Sequence, residues 1–152
     1  MAGSRDEQPE RHSQWRISDR VSAAYWAAMS QENVEVVRRF LLLEVDEALT
    51  YADPDIVWNP AEESATQGHD AVRASLVRWK SEWDDYGLLP EEFEHMGDRV
   101  VATVRLRGRG RGSGIEVDAR FYEVYTLRQG KIVRMDQFTQ RSEALEAVAL
   151  RE

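Results

Sequence analysis

The segment from residue 100 to 127 constrains the fold most, because its alternation fits a half-buried β-hairpin. If the chain turns near Gly112 and Ser113, acidic residues of the second strand fall opposite arginines of the first on one face. On the other face, apolar residues or glycine meet apolar residues, as a hairpin with one buried side requires. The predicted pairs are Arg109–Glu116, Arg107–Asp118, Gly108–Val117, Leu106–Ala119 and Val104–Phe121. Each cross-strand ion pair adds on the order of 0.2–1 kcal/mol.

The same segment contains RGRGRGSG, residues 107–114, which is also typical of an arginine–glycine arm that binds nucleic acid. A disordered arm has no need of acids in register with its arginines, nor of the flanking strand-like runs VVATV and FYEVYTL. The chain carries a net charge of −8 and a sequence pI of about 5.0. Such a charge repels phosphate backbones unless the basic residues gather on one face. We therefore predict a hairpin and no nucleic-acid partner.

The next turn decides which side chains face the interior. LRQGK, residues 127–131, is typical of a type I turn followed by a glycine in the left-handed region, with Arg128, Gln129 and Gly130 as a three-residue loop. The predicted pairs are then Tyr125–Val133, Glu123–Met135 and Phe121–Gln137. The inward residues are Phe121, Glu123, Tyr125, Val133, Met135, Gln137 and Thr139, and the outward ones are Arg120, Arg134 and Asp136. A two-residue turn would slip the register by one and bring Asp136 inward.

The first half of the chain has helical periodicity. Ser30 is a good N-cap for a helix with an apolar stripe through Val34, Val37 and Leu41. A short second helix is predicted over residues 47–51. The run 53–55, DPD, is a turn signal, and the strand that follows it ends before Pro60.

The strongest predicted helix is GHDAVRASLVRWKSEWDDYG, residues 68–87. Val72, Leu76, Trp79 and Trp83 lie at the spacing of one helix face, and Gly87 with Pro90 ends the helix. Strands follow, and a short helix capped by Ser142 closes the chain. This order predicts an α+β fold with helices packed on one side of a curved antiparallel sheet.

Length and composition suit one domain. The 152 residues are 42% hydrophobic and contain no cysteine, which excludes disulfides and thiolate metal sites. No run approaches the ~18 apolar residues of a membrane span, and the short VSAAYWAAM, residues 21–29, is a poor secretory signal. We expect a cytoplasmic protein without membrane contact. Its predicted parts are a flexible polar extension over 1–29, a folded domain over 30–148 and a tail over 149–152.

Five stretches stand out when the chain is taken as a whole: ENVEVVRRF, ALTYADPDIVWNP, GHDAVRASL, GDRVVATVRLRGRGRGSG and LRQGKIVRMDQFTQRSEALEAV. Together and in this order they resemble the SnoaL-like family of the nuclear transport factor 2-like superfamily. The resemblance covers about residues 30–148 and implies a cone, in which a curved, mostly antiparallel sheet wraps three helices and leaves a pocket at its wide end. It also implies a homodimer through the outer sheet face. Members include polyketide cyclases, ketosteroid isomerases, epoxide hydrolases and non-catalytic binding domains.

The catalytic residues of those relatives are absent from the matching positions. The resemblance places the cyclase aspartate of the last strand at Gln137, and the arginine and second aspartate of the hydrolases at Val104 and Leu106. The basic aspartate of the isomerases falls at Asn59, and their oxyanion tyrosine at Phe40. The known acids and bases are therefore not retained, although a polar residue remains at position 59.

Other residues are candidates for chemistry. Glu123 is the one carboxylate that the predicted register turns inward, where desolvation suits a general acid or base. The alternative is that a bulge turns Glu123 outward or that a local arginine pairs with it. Asn59 and Gln137 either orient a ligand or satisfy backbone groups. His69 is a general base at the pocket mouth or a solvated residue near a helix start. Three scattered histidines give no metal-binding spacing, so no metal or cofactor is predicted.

The expected ligand is a small hydrophobic molecule. The residues predicted to line its pocket are Phe40, Tyr51, Trp58, Asn59, Trp79, Trp83, Val104, Leu106, Phe121, Tyr125, Met135 and Gln137. Two functions stay open. One is acid/base cyclisation, isomerisation or hydration of a polyketide-like or other hydrophobic carbonyl compound. The other is a non-catalytic ligand-binding or dimeric interaction domain.

Overall fold

The computed structural model describes residues 27–151, so the predicted extension lies largely outside the described residues. The sheet, the core and the cavity all belong to the compact unit Asn33–Glu152. The described elements are α1 (residues 27–42 in the described part of the chain), α2 (Val45–Leu49), β1 (Ala52–Asn59), β2 (Thr66–Gln67), α3 (His69–Ser81), β3 (Trp83–Met96), β4 (Arg99–Gly110), β5 (Glu116–Arg128), β6 (Lys131–Phe138) and α4 (Arg141–Arg151).

The six strands form one mixed sheet in the order β2-β1-β6-β5-β4-β3. β1 runs parallel to β6, and every other neighbouring pair is antiparallel. The parallel pair joins the early strand to the end of the chain, so α3 and the long β3–β4–β5 meander lie between them in sequence. The predicted α+β class with a mostly antiparallel sheet is confirmed.

The β4–β5 hairpin has the predicted register, and all five predicted cross-strand pairs occur. The arginines and acids lie on one face, but the best ion pair is diagonal. Arg105 donates from both Nε and a terminal nitrogen to Asp118, at 2.9 and 2.7 Å, whereas Arg107 lies 3.8 Å from the same carboxylate. The side chains of this face are exposed or half-exposed, so each pair stabilises the hairpin only modestly.

The predicted three-residue loop between β5 and β6 is wrong. Arg128 pairs with Lys131, so the turn has two residues, Gln129 and Gly130, with φ angles of 52° and 75°. Positive φ at both central residues matches the right-handed twist of the flanking strands. One residue, Val133, is then skipped in the ladder as a bulge.

This bulge shifts the pairing of β5 with β6 by one further residue from the predicted register. The observed pairs are Tyr125–Met135, Glu123–Gln137 and Val124–Asp136 instead of the predicted ones. Because the turn and the bulge together shift the strand by two residues, Glu123, Tyr125, Met135 and Gln137 still share one face. Asp136 lies on the other.

The predicted helix through Trp83 is also wrong at its end. α3 stops at Ser81, and Trp83 begins β3, which contains both Gly87 and Pro90. The backbone N–H of Arg111 donates to the carbonyl oxygen of Glu82 at 2.7 Å, so pairing with the β4–β5 hairpin replaces the next helical turn. Pro90 lies next to a register shift, where a missing N–H is tolerated.

Smaller corrections concern element ends. The turn signal at residues 53–55 lies inside β1, at an irregular pairing with β6 where the backbone N–H of Asp55 donates to Asp53 at 2.9 Å. Ser30 and Ser142 lie inside α1 and α4 instead of capping them. The second helix begins two residues earlier than predicted, at Val45.

Helices cover both faces of the sheet, not one side as predicted. The larger core joins α1, α2 and α3 to the inner face, where Phe40 packs against Trp58 and Tyr125 with ring centroids 5.6 and 6.0 Å apart. A smaller cluster joins α4 to the outer face through Val101, Val124, Ala144 and Val148. Alternation along β4 and β5 produces both clusters, since neighbouring residues point to opposite faces.

Candidate functional site

A cavity of about 370 Å³ opens between the helices and the inner face of the sheet. Its walls come from the end of α1, from α2 and α3, and from β1, β3, β4, β5 and β6. The apolar part of the lining is Phe40, Leu41, Leu42, Leu43, Val45, Ala48, Trp58, Pro60, Leu76, Trp79, Leu88, Val104 and Phe121. A few polar side chains interrupt this surface, as is typical of small-molecule pockets of this size.

Glu123 is the most buried carboxyl on the cavity wall, with 6% of its surface exposed. Tyr125 donates its hydroxyl proton to Oε1 of Glu123 at 2.7 Å, and Nε2 of Gln137 donates to Oε2 at 2.9 Å. Both partners are neutral. In the described part of the chain, no ion pair involves Glu123.

The burial of Glu123 governs its ionisation. Desolvation raises the pKa of Glu123, and the hydrogen bonds from Tyr125 and Gln137 oppose that rise without cancelling it. The pKa of Tyr125 lies well above its ordinary value because the phenol is buried and faces this carboxyl. Tyr125 therefore stays a proton donor throughout the physiological range, while Glu123 is the group that can change its charge.

Glu123 borders the cavity, so its carboxyl is within reach of a bound ligand. Tyr125 and Gln137 each donate, so each occupies an acceptor position on one carboxyl oxygen. When Glu123 is protonated, its own hydrogen can be donated to the hydroxyl oxygen of Tyr125, which also accepts hydrogen bonds, or to a ligand oxygen in the cavity. The protonated form can donate a hydrogen bond or a proton to a ligand oxygen, and the ionised form can accept a proton.

The structure brings seven of the candidate residues to the cavity and leaves the others outside. Those that border it are Glu123, Phe40, Trp58, Trp79, Val104, Phe121 and Gln137. Leu106, Tyr125 and Met135 are buried behind the lining, and Tyr51 accepts a hydrogen bond from Arg39 at 3.3 Å. Trp83 packs on Trp79, with ring centroids 5.6 Å apart, but does not itself border the cavity.

Asn59 does not face the cavity either. Trp58 takes the inward position at the end of β1, so alternation turns Asn59 to the opposite face. There Nδ2 of Asn59 donates to Oδ1 of Asp136 at 2.9 Å, and Arg134 donates to both oxygens of the same carboxylate. Asp136 is 2% exposed, and this cluster joins β1 to β6.

His69 is the first residue of α3, and Nε2 of its ring lies 3.0 Å from the carbonyl oxygen of Ala52. It does not border the cavity. The contact fixes the start of α3 against β1.

Sequence reasoning missed two polar residues of α3. Ser75 is buried at the cavity, and in the described residues its hydroxyl has no hydrogen-bond partner. Lys80 borders the cavity without an ion pair in the same part of the chain. The spacing could have indicated Ser75, because it lies three residues after Val72 and four before Trp79 on the same helix face.

The mouth of the cavity carries carboxylates. Glu44, Glu62 and Glu63 border it and are exposed, and Glu63 accepts a hydrogen bond from Arg78 of α3 at 3.1 Å.

Among the described residues, no group of three or more His, Asp or Glu side chains has the arrangement of a metal site. None of the described helices has the length and apolar character needed to span a membrane.

These features define an α+β pocket protein of the nuclear transport factor 2-like fold. Residues 22–135 match the profile of the SnoaL-like domain, and the chain belongs to that family. No curated protein matches the chain.

Solved structures share the fold at low sequence identity. A protein of Jannaschia sp. CCS1 described as a SnoaL-like polyketide cyclase is 22% identical, with a TM-score of 0.67 over 79% of this chain and 93% of its own. TerC, co-crystallised with polyporic acid, is 22% identical, with a TM-score of 0.63 over 78% of this chain and 98% of its own. SalBIII, an epoxide hydrolase/cyclase-like enzyme of pyran ring formation in salinomycin, is 17% identical, with a TM-score of 0.64 over 74% and 93%.

Proposed function

We propose that this protein binds a small hydrophobic carbonyl compound and uses Glu123 as the acid/base in its cyclisation, isomerisation or hydration. The observation that carries the proposal is the environment of Glu123. Its carboxyl is buried on the wall of an apolar cavity, and both of its hydrogen-bond partners are neutral donors. A purely structural carboxylate at such a depth is usually paired with a cation. A raised pKa is instead what general acid/base catalysis near neutral pH requires.

The cavity supports a hydrophobic substrate. Aromatic rings of Phe40, Trp58, Trp79 and Phe121 border it, and its volume suits a molecule of a few fused rings. Polyporic acid in TerC and the polyketide cyclase description of the Jannaschia protein are consistent with this class of ligand.

The proposed step is a proton transfer at the carbon next to a carbonyl. The ionised Glu123 takes the proton, so a C–H bond breaks, an O–H bond forms on the carboxyl and the electron pair moves to the carbonyl oxygen as an enolate. Glu123 then returns the proton to the same or another position. Ser75, whose hydroxyl is free in the described residues and borders the cavity, is a donor available to a carbonyl oxygen.

The second candidate is a non-catalytic ligand-binding domain. The observation that favours it is the occupancy of the positions matched to catalytic aspartates, where Gln137 and Asn59 stand. Asn59 faces away from the cavity, and Gln137 cannot exchange a proton near neutral pH. In this case the same cavity would hold its ligand unchanged.

Hydrogen–deuterium exchange of 2-tetralone in D₂O separates the two functions. This ketone has acidic α-hydrogens, so an enzyme that forms enolates accelerates their exchange, which proton NMR follows. We expect acceleration by the native protein, a rate that rises with pH until Glu123 is fully ionised, and a loss of about 10²–10⁴-fold in Glu123→Gln.

Quenching of tryptophan fluorescence by 2-tetralone provides the binding control, since Trp58 and Trp79 border the cavity. Saturable binding by both proteins with no Glu123-dependent exchange would contradict catalysis of this type and support the binding domain. A matched variant is Glu92→Gln, an exposed glutamate of β3 outside this cavity, for which we expect the native exchange rate.

We also propose a homodimer through the outer face of β3, β4 and β5. Leu89 is 58% exposed there, among Arg105, Arg107, Asp118 and Arg120, which gives a face with both charges and an apolar centre. Sedimentation at micromolar concentration should show twice the 17.5 kDa chain mass. Leu89→Arg should shift the protein to monomer, and a native protein that sediments as a monomer would contradict the dimer.

A further inference from the structure

Glu123 is the third group in a chain of hydrogen bonds that begins at the cavity mouth. The backbone N–H of Ala61 donates to Oε1 of Gln137 at 3.1 Å, and Nε2 of Gln137 donates to Oε2 of Glu123 at 2.9 Å. Ala61 lies in the mouth loop, residues 60–65 between β1 and β2, and its neighbours Pro60, Glu62 and Glu63 border the cavity.

The direction of this chain is fixed by chemistry. A backbone N–H can only donate, so Ala61 must face the carbonyl end of the Gln137 amide. The N–H₂ end is then left for Glu123, and a hydrogen bond from a donor favours the ionised carboxyl over the protonated one. If the amide were reversed, its carbonyl oxygen would face Glu123 and favour the protonated form.

We propose that Gln137 is the positioning residue of this site, held by the Ala61 N–H so that its own N–H₂ faces Glu123, and that the mouth loop thereby sets how Glu123 ionises. This inference rests on the proposed function for its catalytic meaning. The geometric part, that Ala61 and Gln137 control the titration of Glu123, can be tested without turnover.

Few other groups can produce the same effect. Tyr125 on the same strand donates to the other oxygen, and the residue of β4 opposite Glu123 is Ala102. From α1 the facing side chain is Phe40, which carries no charge. The cavity lining and its mouth carry four other charged residues, Glu44, Glu62, Glu63 and Lys80. The far face of β6 carries the Arg134–Asp136 pair. All of them are unchanged in the variants below.

The first test replaces Gln137 by methionine, which keeps the length of the side chain and removes both hydrogen bonds. The readout is the infrared band of the protonated Glu123 carboxyl, assigned by its absence in Glu123→Gln. We expect the midpoint of its titration to move to higher pH, and the pH profile of 2-tetralone exchange to move with it. Gln67→Met makes the same chemical change at an exposed site of β2, and its midpoint should equal the native one.

The second test acts on the loop alone. Ala61→Pro deletes the backbone donor, whereas Ala61→Gly keeps it and serves as the matched control. We expect the proline variant to raise the midpoint and the glycine variant to leave it unchanged. If the proline variant is destabilised, a urea titration will show it, and the Gln137→Met result then decides the proposal.

A third variant tests the order of the donors by exchanging the two side chains. In Glu123→Gln/Gln137→Glu, Tyr125 donates to the amide oxygen at 123, the amide N–H₂ donates to the carboxylate at 137, and Ala61 donates to that same carboxylate. Every donor keeps an acceptor, so we expect the variant to fold and a carboxyl band to return, with a midpoint below that of the native protein. The carboxylate accepts two hydrogen bonds at either position, but position 137 is less buried than position 123, so desolvation raises the midpoint less there.

The outcomes separate the two proposals. A native midpoint in Gln137→Met would overturn the positioning role. Shifted midpoints together with no exchange of 2-tetralone would leave the positioning role standing and contradict the acid/base function.

Discussion

Replacing Glu123 by glutamine is expected to remove a fall in stability that the native protein shows as the pH rises. Burial raises the pKa of Glu123, so the folded chain keeps a proton that the unfolded chain releases. Between the unfolded pKa of about 4.3 and the higher folded one, the native protein should lose up to about 1.4 kcal/mol per pH unit from this group alone. Below the unfolded pKa both states are protonated, and the group contributes no pH dependence.

The variant differs from the native protein in one further respect. A glutamine at position 123 cannot accept hydrogen bonds at both ends, so one of the donors from Tyr125 and Gln137 loses its partner, at a cost of about 1 kcal/mol at every pH. The expected result is therefore a difference between the two proteins that changes in favour of Glu123→Gln from pH 4 to pH 8. Its value at any single pH is less informative.

Urea unfolding at several pH values measures this difference, and subtraction removes the titration of all other groups. A difference that stays constant would mean that Glu123 has the same pKa in both states, which would contradict its use as a general acid near neutral pH. A difference that changes in the opposite direction would mean an ionised Glu123 stabilised by the fold. Both outcomes would favour the non-catalytic binding domain.

The β4–β5 register could be predicted from the sequence because two independent patterns agree. Arginines fall opposite acids on one face, while apolar residues and glycine fall opposite apolar residues on the other, and a slip by one residue would destroy both patterns. The inward direction of Glu123 follows from this hairpin. The turn into β6 contains no such redundancy.

In the turn between β5 and β6, the local sequence predicts the wrong loop length, yet Glu123, Met135 and Gln137 still share the inner face of the sheet. The glycine at position 130 fits either a three-residue loop or a two-residue turn, and only the second is found. A sequence gives little indication of the compensating bulge at Val133, since bulges depend on the twist of the assembled sheet. The predicted faces are kept because the two differences together shift the strand by an even number of residues.

The end of α3 depends on tertiary structure in the same way. The apolar spacing continues to Trp83, so periodicity alone extends the helix. The helix ends because the Glu82 carbonyl accepts a hydrogen bond from the backbone N–H of Arg111. These two residues are far apart in the sequence, so no local pattern predicts their contact. The prediction that Asn59 lines the cavity is wrong for a related reason, because the neighbouring Trp58 takes the inward position on β1.

Gly108 is where this long-range pairing leaves no room for a side chain. A Cβ atom at position 108 would lie 2.9 Å from the carbonyl oxygen of Asp85, 2.9 Å from Cε3 of Trp83 and 3.0 Å from Cβ of Tyr86. Two of these contacts involve atoms held by the β3 backbone, which cannot move without breaking the β3–β4 ladder. Trp79 packs on both Trp83 and Tyr86, with ring centroids 5.6 and 5.3 Å apart, and it borders the cavity.

We therefore expect Gly108→Ala to destabilise the protein by about 1–3 kcal/mol, the usual cost of overpacking, and to weaken 2-tetralone binding through displacement of Trp79. The matched control is Gly87→Ala on β3, where an added Cβ meets no atom within 4 Å and the backbone does not have positive φ. Its stability should stay within about 0.5 kcal/mol of the native value. Urea midpoints and fluorescence titrations compare the three proteins, and equal stability of the two variants would show that β3 can move away from β4 at this point. The aromatic wall of the cavity would then not depend on the glycine in the hairpin.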